Sequence, residues 1–387
     1  MQNASPGNSS ATRPSVAIVG GGVIGLSLGW RLAQAGCPVT LVERNPETGR
    51  GASWAAAGML AAGIEAEPTE EALFALARWS QALWPGFAAE LEAAAGLPVG
   101  YDATGTLVCA FTRDQAEKLR HGIAFQRALG GVFEWLGAAA AREREPGLAP
   151  NLVAAAFSPN DHQVDNRLLA TALAEAFRRA GGRLVTGIEA SVDLAGGRAV
   201  GVVAGDSRHP ADVTVIAAGA WSRAVPGLPT AHRPPTRPIK GQMLALMMPA
   251  GAPLVRHVVW GGQCYLVPRA DGRLLVGATV EERGFDATIT AGGLLGLLDD
   301  AWRTLPGIED LAVHETWAGF RPGSPDDQPM LGETGIDWLL VATGHHRFGI
   351  LLTPATADAM AELIMTGRTT APIRPFGIDR FDQEPHP

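Results

Sequence analysis

Two stretches of the chain carry residues fitted for chemistry. Gly20, Gly22 and Gly25 spell GxGxxG, and Glu43 closes the next apolar run. That set suits a dinucleotide. Gly20 allows a tight turn, Gly22 lets the backbone approach a pyrophosphate, and Gly25 lets helix and strand pack closely. Glu43 can accept both ribose hydroxyls and would repel a 2′-phosphate. The second group is GHHRFGILLTPAT, residues 344–356. Its histidines suggest a metal or acid–base site, yet no further ligands with metal spacing accompany them. Gly344 and Gly349 allow backbone to pass close to a flat ligand.

Local periodicity supplies the strands and helices that hold these two stretches. Val16–Val19 is a buried strand, LSLGWRLAQAG a helix stopping at Gly36, and Val39–Val42 a second strand. Residues 45–64 are small and glycine-rich, fit to lie along a large cofactor. Asp212–Ser222, ending its apolar run at Gly219, and Asp337–His346 read as strands returning to the same sheet. Between 183 and 216, a further strand and a small antiparallel layer are expected. A helix starts near Thr353, with Pro354 in its first turn. EALFALARWSQALW, residues 71–84, is an amphipathic covering helix. A dinucleotide domain built from distant segments, with another domain inserted, is a flavoprotein layout. The fold class is therefore α/β (α+β): a Rossmann-type FAD-binding domain of discontinuous segments plus an antiparallel-sheet substrate domain. The expected boundaries are 15–90, 151–225 and 316–370 for the first, and 91–150 and 226–315 for the second. Residues 1–14 read as a disordered tail and 371–387 as a C-terminal tail.

Composition excludes several functions. The chain has 387 residues, 47% hydrophobic, with a formal net charge of −8, so nucleic acid is not an expected partner. Cys37, Cys109 and Cys264 are odd in number, far apart and without CxxC spacing, which fits a reducing cytoplasm. The N-terminal stretch lacks the pattern of a secretory signal. No run of 18 apolar residues predicts a membrane span. A cytoplasmic homo-oligomer is expected.

GQCYLVPRADGRLLVGATV carries an Asp271-Gly272 turn between apolar runs, a hairpin signal. A two-residue loop would pair Ala270 with Arg273, Tyr265 with Ala278 and Gln263 with Val280. These four, Gln263, Tyr265, Ala278 and Val280, would then share one face as a pocket wall, with Cys264 and Leu266 turned into the core. A one-residue slip would reverse the faces.

VAIVGGGVIG, SWAAAGML, VIAAGAWS, PIKGQ, CYLVPRADGRLLVGAT, WAGFRPGSPD and GHHRFGILLTPAT run from Val16 into the last helix. Together they resemble glycine oxidase of thiamine biosynthesis, within the D-amino acid oxidase and sarcosine oxidase group. The resemblance implies noncovalent FAD and oxidative deamination of a small amine by oxygen, giving peroxide. It also implies a possible hand-over of product to thiazole synthase. It places FAD contacts at Val23, Ile24, Glu43, Arg44, Ala52, Ser53, Ala57, Gly58, Met59 and Ile188, beside the glycine motif and Gly219. Further contacts run along His345, His346, Arg347, Phe348, Gly349, Ile350 and Leu351, of which His346 does not match the family. Arg321 and Tyr265 should hold the substrate carboxylate, with Arg347 at the pocket edge. Gln263 stands where the family has histidine and Val280 where it has methionine, which leaves substrate range open.

Such an oxidase needs the carboxylate anchored, the amine neutral and the Cα hydrogen aimed at the flavin. A guanidinium grips a carboxylate with two parallel bonds, which suits Arg321; the competing reading is an ion pair with Asp326 or Asp327. No histidine or carboxylate base is forced by hydride transfer, since the cofactor carries the chemistry. Lys240 reads as a surface residue at a strand end, and His162 and Asp165 as a turn and a helix N-cap. Trp54, Trp221 and Trp317 read as packing. The last helix would aim its positive end at the flavin. Two other functions remain open: a D-amino acid dehydrogenase using a quinone or carrier, and a flavin-binding partner subunit without turnover.

Overall fold

The computed structural model describes residues 13–65 and 70–381. Most of the expected N-terminal tail and the end of the C-terminal one lie outside the described residues. Residues 371–381, by contrast, are packed. Ile373 and Phe376 are buried, and Arg380 pairs with Asp326 at 2.8 Å.

Val16–Val19 is buried at every residue and lies between two parallel neighbours, Val39–Glu43 and Val213–Ile216. Arg183–Thr186 extends the sheet beside Val39–Glu43. Leu339–Thr343 extends it beside Val213–Ile216, and the antiparallel strand Met330–Glu333 closes that edge. Both returning strands therefore join the first unit. Alternation along Val16–Val19 sends Val16 and Ile18 to one layer and Ala17 and Val19 to the other. The first layer holds the helices Val23–Gln34, Glu71–Ala95, Asn166–Arg179 and Thr353–Thr366. The second is a three-stranded antiparallel sheet of Ala190–Ala195, Arg198–Ala204 and Ser207–Pro210.

The covering helix runs well past residue 84. It carries Pro85 in its interior and stops where Gly96 turns left-handed. Asp165 caps Asn166–Arg179 by accepting from the amides of Arg167 and Leu168 at 2.9 and 3.1 Å.

An eight-stranded sheet forms the second body. Its order is Ala312–Gly323, Arg237–Met247, Arg273–Gly277, Cys264–Pro268, Val258–Gly261, Thr106–Ala110, Ala154–Ser158 and Glu134–Gly137. Ala154–Ser158 and the end of Ala312–Gly323 fall within the segments expected for the dinucleotide domain, from 151 and from 316. Their hydrogen bonds place them in this second sheet instead, which is antiparallel except where Val258–Gly261 pairs parallel with Thr106–Ala110. One face of this sheet packs Cys264, Leu266, Leu274 and Val276 against the helix Ala291–Thr304. The other face presents Met243, Ala245, Val267 and Leu275 to Ala55 and Ala57 of the glycine-rich segment.

Candidate active site

One elongated cavity of about 420 Å³ lies between the two sheets, within the range of ligand pockets. It runs from the glycine turn to Tyr265 and Arg321. Of the residues expected to lie along the cofactor or the substrate, all border it except Gly25, Ile188, Gly344, Phe348 and Leu351. Gly25 packs on the backbone of Gly20. Phe348 and Leu351 are buried among the helices, and the Ile188 side chain packs beneath Gly205 toward the small sheet.

The residues at the first end fit a dinucleotide. Gly20 adopts φ +113°, and a Cβ there would collide with the carbonyl of Ala217. The helix Val23–Gln34 begins at Gly22 with no side-chain cap. Ser53 Oγ accepts from the Val23 amide at 3.0 Å, while the Ile24 amide has no acceptor among the described residues. This leaves the helix start open to an anion. Glu43 accepts from the amides of Gly21 at 2.7 Å and Asn45 at 2.8 Å. Those bonds fix its carboxylate at the cavity wall, with lone pairs left for hydroxyl donors.

Trp221 does more than pack. The guanidinium of Arg44 stands 3.8 Å from one ring face, and Phe285 stacks on the ring at 4.9 Å. Through Trp221 these contacts join the Glu43-Arg44 strand end to the loop after Gly277. Trp54 and Trp317 do pack, edge to face at 5.9 Å, with Arg167 over both.

The hairpin at the other end is one residue out of the expected register. Arg269 pairs with Arg273 around the three-residue loop Ala270-Asp271-Gly272, where Gly272 takes φ +90°. Tyr265 consequently opposes Gly277 rather than Ala278, and its ring lies over that glycine. The strand ends at Gly277, so its pairing does not reach Ala278 and Val280. Gln263 sits in a second turn, with Gly262, between Val258–Gly261 and Cys264–Pro268. All four expected wall residues still border the cavity, with Val280 71% exposed. Trp260, opposite Tyr265 with ring centroids 5.3 Å apart, joins them, as does Met243, whose sulfur is 3.9 Å from the phenol oxygen. Cys264 is buried on the far face, where burial pushes its thiol up to about 12.

Arg321 makes no ion pair among the described residues. Asp326 is taken by Arg380 and Asp327 by Arg237, so the competing reading of Arg321 fails. Its Nη1 donates to the Thr279 carbonyl at 3.1 Å, and its fork lies against Gly241. Burial raises the Tyr265 hydroxyl above its ordinary range, against the pull of the neighbouring Arg321.

Arg347 is engaged: it donates to Glu70 at 2.7 Å and lies 3.2 Å from Glu65. Burial holds His345 and His346 down to about 3, with Arg321 and Arg347 adding to the effect at His346. Both rings are thus neutral near pH 7. His345 Nε2 meets Thr356 Oγ1 at 3.1 Å.

Lys240 is fully buried rather than on the surface. Alternation turns it away from the cavity, where Nζ donates to Thr288 O at 2.6 Å. Gln242 on the same face bonds Glu281 and Thr290. Together they pin the loop that carries Val280, Phe285 and the Thr279 carbonyl. Glu65, Trp260 and the cavity face of Gly241 were missed in the sequence. Glu65 immediately follows the glycine-rich stretch, and the start of its acidic run was the available signal.

A family model described as FAD dependent oxidoreductase matches residues 15–363. Glycine oxidase of Geobacillus kaustophilus is 37% identical over 374 residues, covering 95% of this chain and 97% of the relative. Its crystal structure superposes with a TM-score of 0.88 over 95% of this chain and 99% of the other. A bifunctional ThiO/ThiG protein of Synechocystis is also 37% identical, over 96% of this chain. The chain spans about half of that relative, 54% of its length. Among the described residues no helix is long and apolar enough to cross a membrane. With the dinucleotide cradle, the paired sheets and a match across nearly the whole folded length, the chain belongs to the FAD dependent oxidoreductase family.

Proposed function

We propose that the protein oxidises glycine and other small amines, such as sarcosine and small D-amino acids, with bound FAD and molecular oxygen. The products are the imine, which water converts to the 2-oxo acid and ammonia (methylamine from sarcosine), and hydrogen peroxide. The observation that carries this reading is Arg321, a guanidinium without an ion-pair partner among the described residues, beside Tyr265 at the far end of the cavity from the glycine turn.

FAD, when bound, supplies the hydride acceptor and the route for electrons to oxygen. The chain supplies position. Arg321 grips the carboxylate through its two parallel N–H groups, and the Tyr265 hydroxyl, kept protonated by burial, donates a further bond. Trp260 and Met243 flank the tyrosine and limit the room around the α-carbon. Gln263 and Val280 stand at the exposed rim, where they meet substituents beyond the α-carbon. Fixing the reacting carbon in this way contributes to rate without a covalent step.

The similarity to glycine oxidases supports glycine as a substrate. The bifunctional ThiO/ThiG relatives support delivery of the product to thiazole synthase in thiamine biosynthesis. The test is peroxide release by the purified holoprotein over a panel of glycine, sarcosine and D-alanine. Flavin bleaching without peroxide would transfer the reading to a carrier-linked dehydrogenase. No bleaching with any amine would leave a flavin-binding subunit.

A further inference from the structure

Resting on that reading, we propose that Glu65 is the base that takes a proton from the substrate ammonium group and so prepares the neutral amine. Its side chain is 12% exposed and borders the cavity. Oxygen Oε2 has no hydrogen-bond partner among the described residues. It lies 3.2 Å from Arg347 Nε, an ion pair without hydrogen-bond geometry. The backbone before it is fixed, because Asp161 accepts from the amides of Gly63 and Ile64 at 2.9 and 3.0 Å. Of the other carboxylates on the cavity wall, Glu43 is held by Gly21 and Asn45, and Glu189 is exposed beside Ala190. Glu65 stands instead within electrostatic reach of Arg321 and Tyr265.

An amino acid enters as a zwitterion. Arg321 receives its negative end, and Glu65 offers the complementary charge for the positive one. In the step, an N–H bond of the ammonium breaks and an O–H bond forms on Glu65. The N–H bonding pair remains on nitrogen as the lone pair of the neutral amine. Nothing is oxidised or reduced until hydride leaves carbon.

The surroundings suit the task. Burial raises Glu65 to about 7. Arg347 and Arg321 oppose that rise, while Asp161 and Glu70 add to it. When a substrate carboxylate neutralises Arg321, one opposing charge is removed and Glu65 holds a proton more firmly. The other titratable groups nearby are poorly matched. His346 is held at about 3, and Tyr265 is raised above its ordinary range.

The experiment compares kcat/KM for glycine between wild type and Glu65→Gln holoenzyme, with FAD content checked by absorbance. Glutamine keeps the shape and removes the base. Near pH 7 the variant should lose on the order of a hundredfold, and the loss should shrink steadily toward about pH 10, where solution supplies neutral amine. Glycolate, an anion of similar size without an ammonium group, should bind the variant at least as tightly as wild type in a flavin absorbance titration. A loss that is the same at every pH, an unchanged activity, or weakened glycolate binding would overturn the assignment. If wild type oxidises no small amine, the functional reading falls and this one with it. If wild type is active and the ratio is flat, only this one falls.

Discussion

A Cβ placed on Gly241 would lie 2.7 Å from Nη1 of Arg321. The guanidinium occupies the space that a side chain on the neighbouring strand would fill. Lys240 and Gln242, on the opposite face, leave that space clear while holding the loop whose Thr279 carbonyl accepts from the same nitrogen. Gly241→Ala should therefore push the fork off its acceptor. Steady-state kinetics should show the glycine KM raised roughly tenfold, the loss of one charge-assisted hydrogen bond, with FAD retained. An unchanged KM would mean that the flexible fork moves aside at no cost.

Removing the guanidinium itself is the more severe change. A charge-assisted hydrogen bond contributes about 1.5–3 kcal/mol, so Arg321→Leu should raise the glycine KM by about 10- to 150-fold. FAD should stay bound, because the cofactor cradle at Gly20 and Glu43 lies at the other end of the cavity. Binding of glycolate should weaken in parallel. Normal KM with lost flavin would place Arg321 in cofactor binding instead.

How far the sequence could be read depends on the range of the interaction. The glycine turn, the strands around it and the helix beginning at Thr353 follow from local period and local steric need. The Asp271-Gly272 signal located a hairpin but not its loop length. Gly272 with positive φ serves a three-residue loop as well as a two-residue one, and the difference of one residue moved Tyr265 opposite Gly277. Arg321 could be placed on a strand, but its freedom from Asp326 and Asp327 depended on Arg380 and Arg237, which no spacing reveals. Glu65 is held at the cavity through contacts distant in sequence, those of Gly63 and Ile64 with Asp161, whereas Trp260 follows from its place opposite Tyr265 across the short Gly262-Gln263 turn.

Arg269 ties the hairpin to the cofactor segment. It is 8% exposed, donating to Gln163 Oε1 at 2.6 Å, Ala57 O at 2.7 Å and Asn166 Oδ1 at 3.1 Å, with Asp165 at 3.7 Å. Removing one partner of a buried charged network leaves the others unsatisfied. Arg269→Met should cost about 3–5 kcal/mol, seen as a lowered thermal midpoint of the holoprotein and reduced FAD content. Lysine should not restore it, since one ammonium cannot replace the planar fork. A midpoint equal to wild type would show that the surrounding acceptors find other donors.

The two buried histidines make stability fall in acid. Both are depressed to about 3 in the fold, so the unfolded chain takes their protons first as pH drops below about 6.5. Their contribution is complete above that value and is lost toward about 3, at a limiting slope of about 1.4 kcal/mol per pH unit for each. Glu65 acts in the opposite sense. Its raised value means that the fold gains protonation as pH falls through about 7. Urea midpoints measured from neutral to mildly acidic pH should drop less steeply in His346→Gln, by close to one proton, and more steeply in Glu65→Gln. Parallel slopes in all three proteins would contradict the burial of these charges.

The segment that opens the last helix sets the final expectation. Thr353–Thr366 starts with Pro354 in its first turn and no side-chain cap on Leu352; only the Ala355 amide finds a side chain, Ser80 Oγ at 3.3 Å. The preceding turn is anchored because the Leu351 carbonyl accepts from Ser80 Oγ at 2.6 Å and Trp84 Nε1 at 2.8 Å. A helix start held in place carries about half a positive charge, and Gly349 and Ile350 border the cavity just before it. A flavin bound against this turn would have the extra negative charge of its reduced form favoured by that end. A Cβ at Gly349 would come no closer than 3.7 Å to His345 Cβ, so Gly349→Val can be accommodated while holding the flavin edge away from the turn. With FAD still bound, the flavin midpoint potential should shift downward by about 10–40 mV, the equivalent of a helix-end interaction in a two-electron couple. A potential that stays in place would mean that the helix end stabilises both redox forms equally, which leaves its charge no part in setting the reaction.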